Sequence, residues 1–192
     1  MSSLRVPAAA AAFRCTAPHP LSWIVAAAIA GALIIAAAGC SPGPSPAPTP
    51  TPAFTDEADA FAAAEKVYRA YNDALNARRQ GDFTADPQQY LTGAALEGFI
   101  NSQNTLETLK LRVEGDAAVK TFSGRSAELS SDDAKVVGLV CIDVSAVALL
   151  DEAGTNVTPP ERGDIVAQLV TFVDNKGSLG ISYESQEEAG GC

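Results

Sequence analysis

The chain has 192 residues, 47% of them hydrophobic and 19% charged, and its 13 basic against 23 acidic side chains give a formal net charge of -10. The acidic excess is spread along the chain, and it argues against nucleic-acid phosphates and anionic lipid headgroups as direct partners. The only histidine, tryptophan and methionine are His19, Trp23 and Met1, so everything downstream lacks the imidazole of Ser/His/Asp and Cys/His nucleophile systems and of most zinc sites.

Residues 1 to 20 carry Arg5 and Arg14 without an acidic residue, and Leu21 to Ala38 are almost wholly Ala, Ile, Leu and Val. A charged segment followed by an apolar one is the pattern of an export signal. The apolar run stops at Ala37-Ala38-Gly39-Cys40, which resembles the lipobox of bacterial lipoproteins. That resemblance implies cleavage before Cys40, a diacylglyceryl group on its thiol, and a protein held by lipid on the extracytoplasmic face of the cell membrane. An uncleaved signal anchor is the competing reading, since 18 apolar residues stand at the lower edge of what spans a bilayer. Both readings put the rest of the chain outside. Cleavage would leave eleven basic and 23 acidic residues, a charge of -12.

Ser41 to Ala53 has proline at every second position from Pro42 to Pro52. Each ring fixes φ and biases its predecessor toward extended backbone, so the run should be a polyproline II spacer reaching about 40 Å at ~3.1 Å per residue. The domain organisation expected is a signal peptide over 1–39, a lipidated Cys40 and Pro-rich linker over 40–53, and one folded domain over 54–192.

That domain opens with an amphipathic helix over 56–79. Phe61, Ala64, Tyr68, Tyr71 and Leu75 recur at spacings of three and four and share one face, Asp56, Glu57 and Asp59 suit the positive helix end, and Gly81 follows the last turn. Asp86-Pro87 starts a short helical turn to Leu91. Thr92 then caps a second helix whose buried side should be Leu96, Phe99, Ile100, Leu106 and Leu109. From Arg112 onward the period changes to two. Val119 to Leu129 is a weak strand, and Val136 to Leu150 a strong one with Val136, Val140, Ile142, Val144 and Ala146 facing the core and Cys141, Asp143 and Ser145 facing away. Asp151-Glu152-Ala153-Gly154 turns the chain, Ile165 to Val173 is a strand, Asp174-Asn175-Lys176-Gly177 a hairpin turn, and Leu179 to Tyr183 the last strand. The fold class is therefore α+β.

Helices followed by an antiparallel sheet resemble the nuclear transport factor 2-like superfamily, which includes ketosteroid isomerases and SnoaL-like proteins. The resemblance rests on Tyr68-Arg69-Ala70-Tyr71, Tyr90-Leu91-Thr92-Gly93-Ala94-Ala95-Leu96, Val140-Cys141-Ile142-Asp143-Val144-Ser145 and Gly177-Ser178-Leu179-Gly180-Ile181-Ser182, and covers about residues 57 to 185. It implies N-terminal helices packed on a curved antiparallel sheet, a cone-like shape. Leu179 stands where relatives usually carry an aromatic residue. Enzymes of the superfamily hold an acid or base inside the cone, and no residue here matches one, so no catalytic residue, cofactor or metal ligand is carried over. Many relatives pair through the open face of the sheet; for this chain a homodimer stays open.

Two functional readings follow. In the first, the domain binds a small apolar ligand or a protein partner without catalysis, through a pocket lined by Phe61, Tyr68, Tyr71, Phe99, Val140, Ile142 and Val144 with few polar groups. In the second it is a cofactor-free lyase or isomerase, which needs a buried Asp or Glu facing Tyr68 or Tyr71. Cys141 and Cys192 are expected to pair, because Cys15 leaves with the signal, Cys40 is acylated, and two thiols remain in an oxidising compartment.

Overall fold

The computed structural model describes residues 54–130, 133–175 and 178–192. The signal segment, Cys40, the proline run, and Lys176-Gly177 of the expected hairpin turn lie outside the described residues. Among those described, no helix is long and apolar enough to cross a membrane.

Helix α1 spans Glu57–Arg79, capped by Asp56, whose side chain accepts from the Asp59 amide at 2.9 Å. Its buried stripe is Ala60, Ala64, Tyr68, Tyr71 and Asn72; of the face that the three-four spacing predicts, Ala64, Tyr68 and Tyr71 are buried and Phe61 and Leu75 half-buried. A 3-10 turn at Pro87–Tyr90 follows, with Asp86 accepting from Gln88 at 3.0 Å, and then α2 over Gly93–Thr108.

Among the described residues six strands follow: β1 Arg112–Glu114, β2 Ala118–Leu129, β3 Ala134–Asp143, β4 Ala148–Leu150, β5 Ile165–Asp174 and β6 Leu179–Glu187. β2, β3, β5 and β6 form one antiparallel sheet in that order, and β1 pairs with β4 in a separate two-stranded ribbon. The two helices cover one face of the larger sheet, α1 against β2, β3 and β6 and α2 against β6. Between them lies a core of Val136, Val140, Val170, Phe172 and Ile181, all fully buried. Arg69 ties α1 to the sheet margin by donating to the Val119 carbonyl at 2.9 Å while Glu65 holds its other side.

The strong strand expected over 136–150 is two strands with a turn between them. The Asp143 carboxylate accepts from the Ser145 amide at 3.0 Å and the Ser145 hydroxyl at 2.6 Å, an Asx turn that ends β3. Ala146 is consequently exposed at the turn rather than in the core. Gly115 makes this corner possible: at φ +83° its backbone passes so close to Ala146 that a Cβ would collide with that carbonyl. The same hydrogen bonds hold the Asp143 carboxyl below its ordinary pKa, as suits a carboxylate that makes a turn.

The second helix also differs from expectation. Ala95 is its one fully buried residue, Leu96, Phe99 and Leu106 are half-buried, and Ile100 and Leu109 are exposed. α2 packs on β6, the edge of the sheet, so it has no neighbour wide enough to bury the full stripe.

The outer face of the sheet has a cover of its own. Leu139, Cys141 and Ala167, which alternate away from the helices, are nonetheless buried. The chain continues from β6 into a short 3-10 turn at Ala189–Gly191 that folds onto β5. Cys192 and Cys141 stand there at disulfide distance, their Cα atoms 5.6 Å apart. The segment from Glu187 onward is thereby part of the fold.

Candidate functional site

Between α1, α2 and the far ends of β5 and β6 the core does not close. An inner chamber of about 230 Å³ is lined by Tyr68, Tyr71, Asn72, Gln168 and Glu184 as well as by Leu75, Ile142, Val144 and Val166. It adjoins an outer hollow of about 360 Å³ that shares Tyr71, Leu75, Arg79 and Glu184 with it and adds Phe99 and Tyr183. Together they form one cleft running inward from the edge between α2 and β6.

Of the seven residues expected to line a pocket, Tyr68, Tyr71, Ile142 and Val144 front the chamber and Phe99 the outer hollow. Phe61 and Val140 do not. Phe61 lies flat over Gly124 of β2, and Val140 is fully buried in the core behind. The expected apolar character is corrected as well, because Asn72, Arg79, Gln168 and Glu184 make half of the wall polar.

Glu184 reaches the cleft through an irregularity of β6. Phe172 pairs with Ile181, but the next residue of β5, Thr171, pairs with Tyr183, so Ser182 is an extra residue without a partner. Its hydroxyl donates to the Thr171 carbonyl at 3.1 Å. A one-residue bulge reverses which side chains face each way. Leu179 and Ile181 point into the core before it; after it Glu184 faces the helices, and Tyr183 is turned out with 53% exposure. Plain alternation from Ile181 would turn Tyr183 toward the helices and Glu184 away from them, which is why the sequence alone did not identify the acid. The one local signal was a buried-type pattern, Leu179-x-Ile181, followed within one strand by a glutamate.

The tyrosines meet edge to face on successive turns of α1, with centroids 5.8 Å apart. The Tyr68 hydroxyl donates to Gln168 Oε1 at 2.6 Å, and the Glu184 carboxyl approaches the same hydroxyl. Burial raises the Glu184 pKa above its ordinary value, opposed by the nearby Tyr68 hydroxyl. Burial likewise pushes both phenols up, reinforced by the negative charge of Glu184. All three groups therefore hold their protons more tightly than in water.

The opposite wall is built on hydrogen bonds to Ala117. Asn72 and Asn76 donate to its carbonyl at 2.9 and 2.8 Å, and Asn76 Oδ1 accepts from its amide at 3.0 Å. The same oxygen accepts from Arg79 at 3.0 Å, so the turn before β2 fixes where the guanidinium stands. Burial lowers the Arg79 pKa, against the pull of Tyr71 and Asp116. Among the described residues no group of three or more His, Cys, Asp or Glu could hold a metal ion.

Such a cleft can hold a small molecule, offer it two phenols and a carboxyl, and exchange a proton with it. No protein-family model and no curated protein matches the chain. The solved structures similar to it include the crystal structure of the intermembrane space region of the chloroplast protein ARC6, at 17% identity and a TM-score of 0.49, over 66% of this chain and 95% of that one.

Proposed function

We propose that the domain takes a small molecule into this cleft and moves a proton on it without a cofactor, as an isomerase or lyase does, with Glu184 as the proton-transferring group. The observation that carries the reading is a desolvated carboxyl within reach of the Tyr68 hydroxyl, inside a hollow large enough for a ligand. A carboxyl whose pKa is raised toward the working pH is a better compromise between base strength and availability than an ordinary glutamate. In the step proposed, the Glu184 carboxylate removes a proton from a carbon next to a carbonyl. The electron pair moves onto the carbonyl oxygen, which a tyrosine hydroxyl stabilises by donating a hydrogen bond, and the proton on Glu184 returns to the ligand at the same carbon or a neighbouring one. The helices-on-sheet arrangement supports the nuclear transport factor 2-like reading with its cone-like sheet. The apolar run and Cys40 support a lipid-anchored protein on the extracytoplasmic face, reaching outward on its proline spacer.

The test is hydrogen exchange. The protein is incubated in D2O with a panel of small ketones, enones and keto acids, and deuterium at the carbon next to the carbonyl is followed by NMR. Wild type should accelerate exchange on the compounds it accepts, and Glu184→Gln should lose about 10²- to 10⁴-fold of that acceleration. The reading fails when wild type exceeds the variant on no compound. The second reading, a binding module without catalysis, is favoured by a different observation: the Tyr68 hydroxyl and the Asn72 amide are already engaged within the protein, leaving fewer groups to orient a substrate. In that case Glu184→Gln would keep ligand affinity and there would be no exchange to lose.

A further inference from the structure

Leu75 and Arg79 sit one turn apart on α1 and line both parts of the cleft. They also line a third hollow of about 490 Å³, between the end of α1 and the second half of α2, whose walls include Phe83, Phe99, Leu106 and Leu111. One isobutyl group and one guanidinium thus stand where these three hollows meet. Resting on the reading of the cleft as a ligand site, we infer that its ligand is an organic monocarboxylate with an apolar body, the carboxylate taken by Arg79 and the adjoining carbons by Leu75.

The reason lies in what Arg79 lacks. A guanidinium has five N–H donors, and that of Arg79 spends one on Asn76. Among the described residues no carboxylate lies within salt-bridge distance of it. Its neighbours along the same wall are differently placed. Arg78 donates to the Phe83 and Ala85 carbonyls and lies over the Phe83 ring, and Arg112 is paired with Glu114 at 2.7 Å and donates to the Asp151 carbonyl. A half-buried cation with no carboxylate in direct contact is costly in a fold, the charge of Asp116 acting on it only from a distance, and a ligand that supplies the anion recovers part of that cost. Burial lowers the Arg79 pKa, the same desolvation seen from the proton's side.

Charge and shape narrow the ligand class. The planar fork of arginine matches the two oxygens of a carboxylate, and Asn76 already holds the fork in place from the far side, so little freedom is lost on binding. One positive charge without a directly paired carboxylate suits a single negative one. A dianion would carry a second charge into a site faced by Glu184 and Asp116, in a protein of net charge -10. Leu75, one turn away, offers hydrocarbon where the carbon next to the carboxylate would lie, and the aromatic and aliphatic walls beyond it extend the same preference.

Ligand-observed NMR titration of the full chain in zwitterionic nanodiscs decides the matter with matched probes: phenylacetate against phenylacetamide, hexanoate against hexanamide, and benzylphosphonate as the dianion. Wild type should bind at least one acid about 10-fold or more tightly than its amide, the usual worth of a charged hydrogen bond. Arg79→Gln should erase that preference, and Arg79→Lys, which keeps the charge but not the fork, should keep part of it while folding as wild type does. Equal binding of acid and amide, binding of neither acid, tighter binding of the phosphonate, or a preference that survives Arg79→Gln would each overturn the inference. The deuterium-exchange measurement on the same samples separates the two ideas. Exchange without carboxylate preference removes this inference and leaves the catalytic reading; carboxylate preference without exchange does the reverse.

Discussion

Glu184 works against the fold that holds it. Its carboxyl pKa is raised in the folded protein by burial, above an ordinary value of 4.5, so the folded state binds that proton more tightly than the unfolded chain does. The associated stability is fully present below the ordinary value and is lost as pH climbs through the raised one. Glu184→Gln should therefore melt at the same temperature as wild type in acid and at a higher one near neutrality, the gap opening as pH rises. A gap that closes with rising pH in paired thermal scans would mean that the carboxylate is better solvated than its surroundings imply. The opposite sign holds for Asp143, whose hydrogen bonds from Ser145 stabilise the charged form. Asp143 was legible from sequence because strand alternation alone turned it away from the core. Glu184 and Arg79 were not legible: one depends on a bulge, and the other on an asparagine clamp between α1 and the turn before β2, contacts 41 residues apart in the chain.

Elements that pack through their own period were readable, and those that depend on a distant neighbour were not. α1 follows from its three-four spacing and its cap to within one residue. The residues of β4 read as strand, but their separation from β3 did not show, because it comes from pairing with β1 and a turn set by Gly115. The stripe of α2 was overread because nothing in its spacing says that the neighbour is an edge strand. A further device of the sheet is the matching of aromatic rings to glycines. Phe61 of α1 covers Gly124 on β2, and Phe122 of β2 covers Gly138 on β3 while meeting Phe172 edge to face at 6.1 Å. A Cβ at either glycine would enter the ring above it. Gly124→Ala and Gly138→Ala should each lose roughly 1–3 kcal/mol, the usual cost of overpacking, measured as a lower denaturant midpoint at unchanged slope. An alanine tolerated without loss at both positions would show that the rings move aside freely.

For the molecule as a whole, two covalent features are expected at opposite ends of the mature chain. Cys40→Ala should release the protein from membranes or arrest its processing; mass spectrometry that finds residues 1–39 still attached to the native protein would remove the lipoprotein reading. The pairing of Cys141 with Cys192 should leave no free thiol in denatured, unreduced mature protein carrying the acyl group on Cys40. Cys192→Ser should lower stability by roughly 2–4 kcal/mol, a loss absent if the tail packs unaided. The two faces of the sheet then differ in how they come to be covered. Packing of helices onto the inner face is set by the chain and is complete on the timescale of domain folding, whereas thiol oxidation takes seconds to hours and needs an oxidant from outside. The cleft can thus be formed while the outer face is still bare. Newly made molecules would pass through an interval in which Leu139, Cys141 and Ala167 await their cover, and the length of that interval belongs to the cell and not to the sequence.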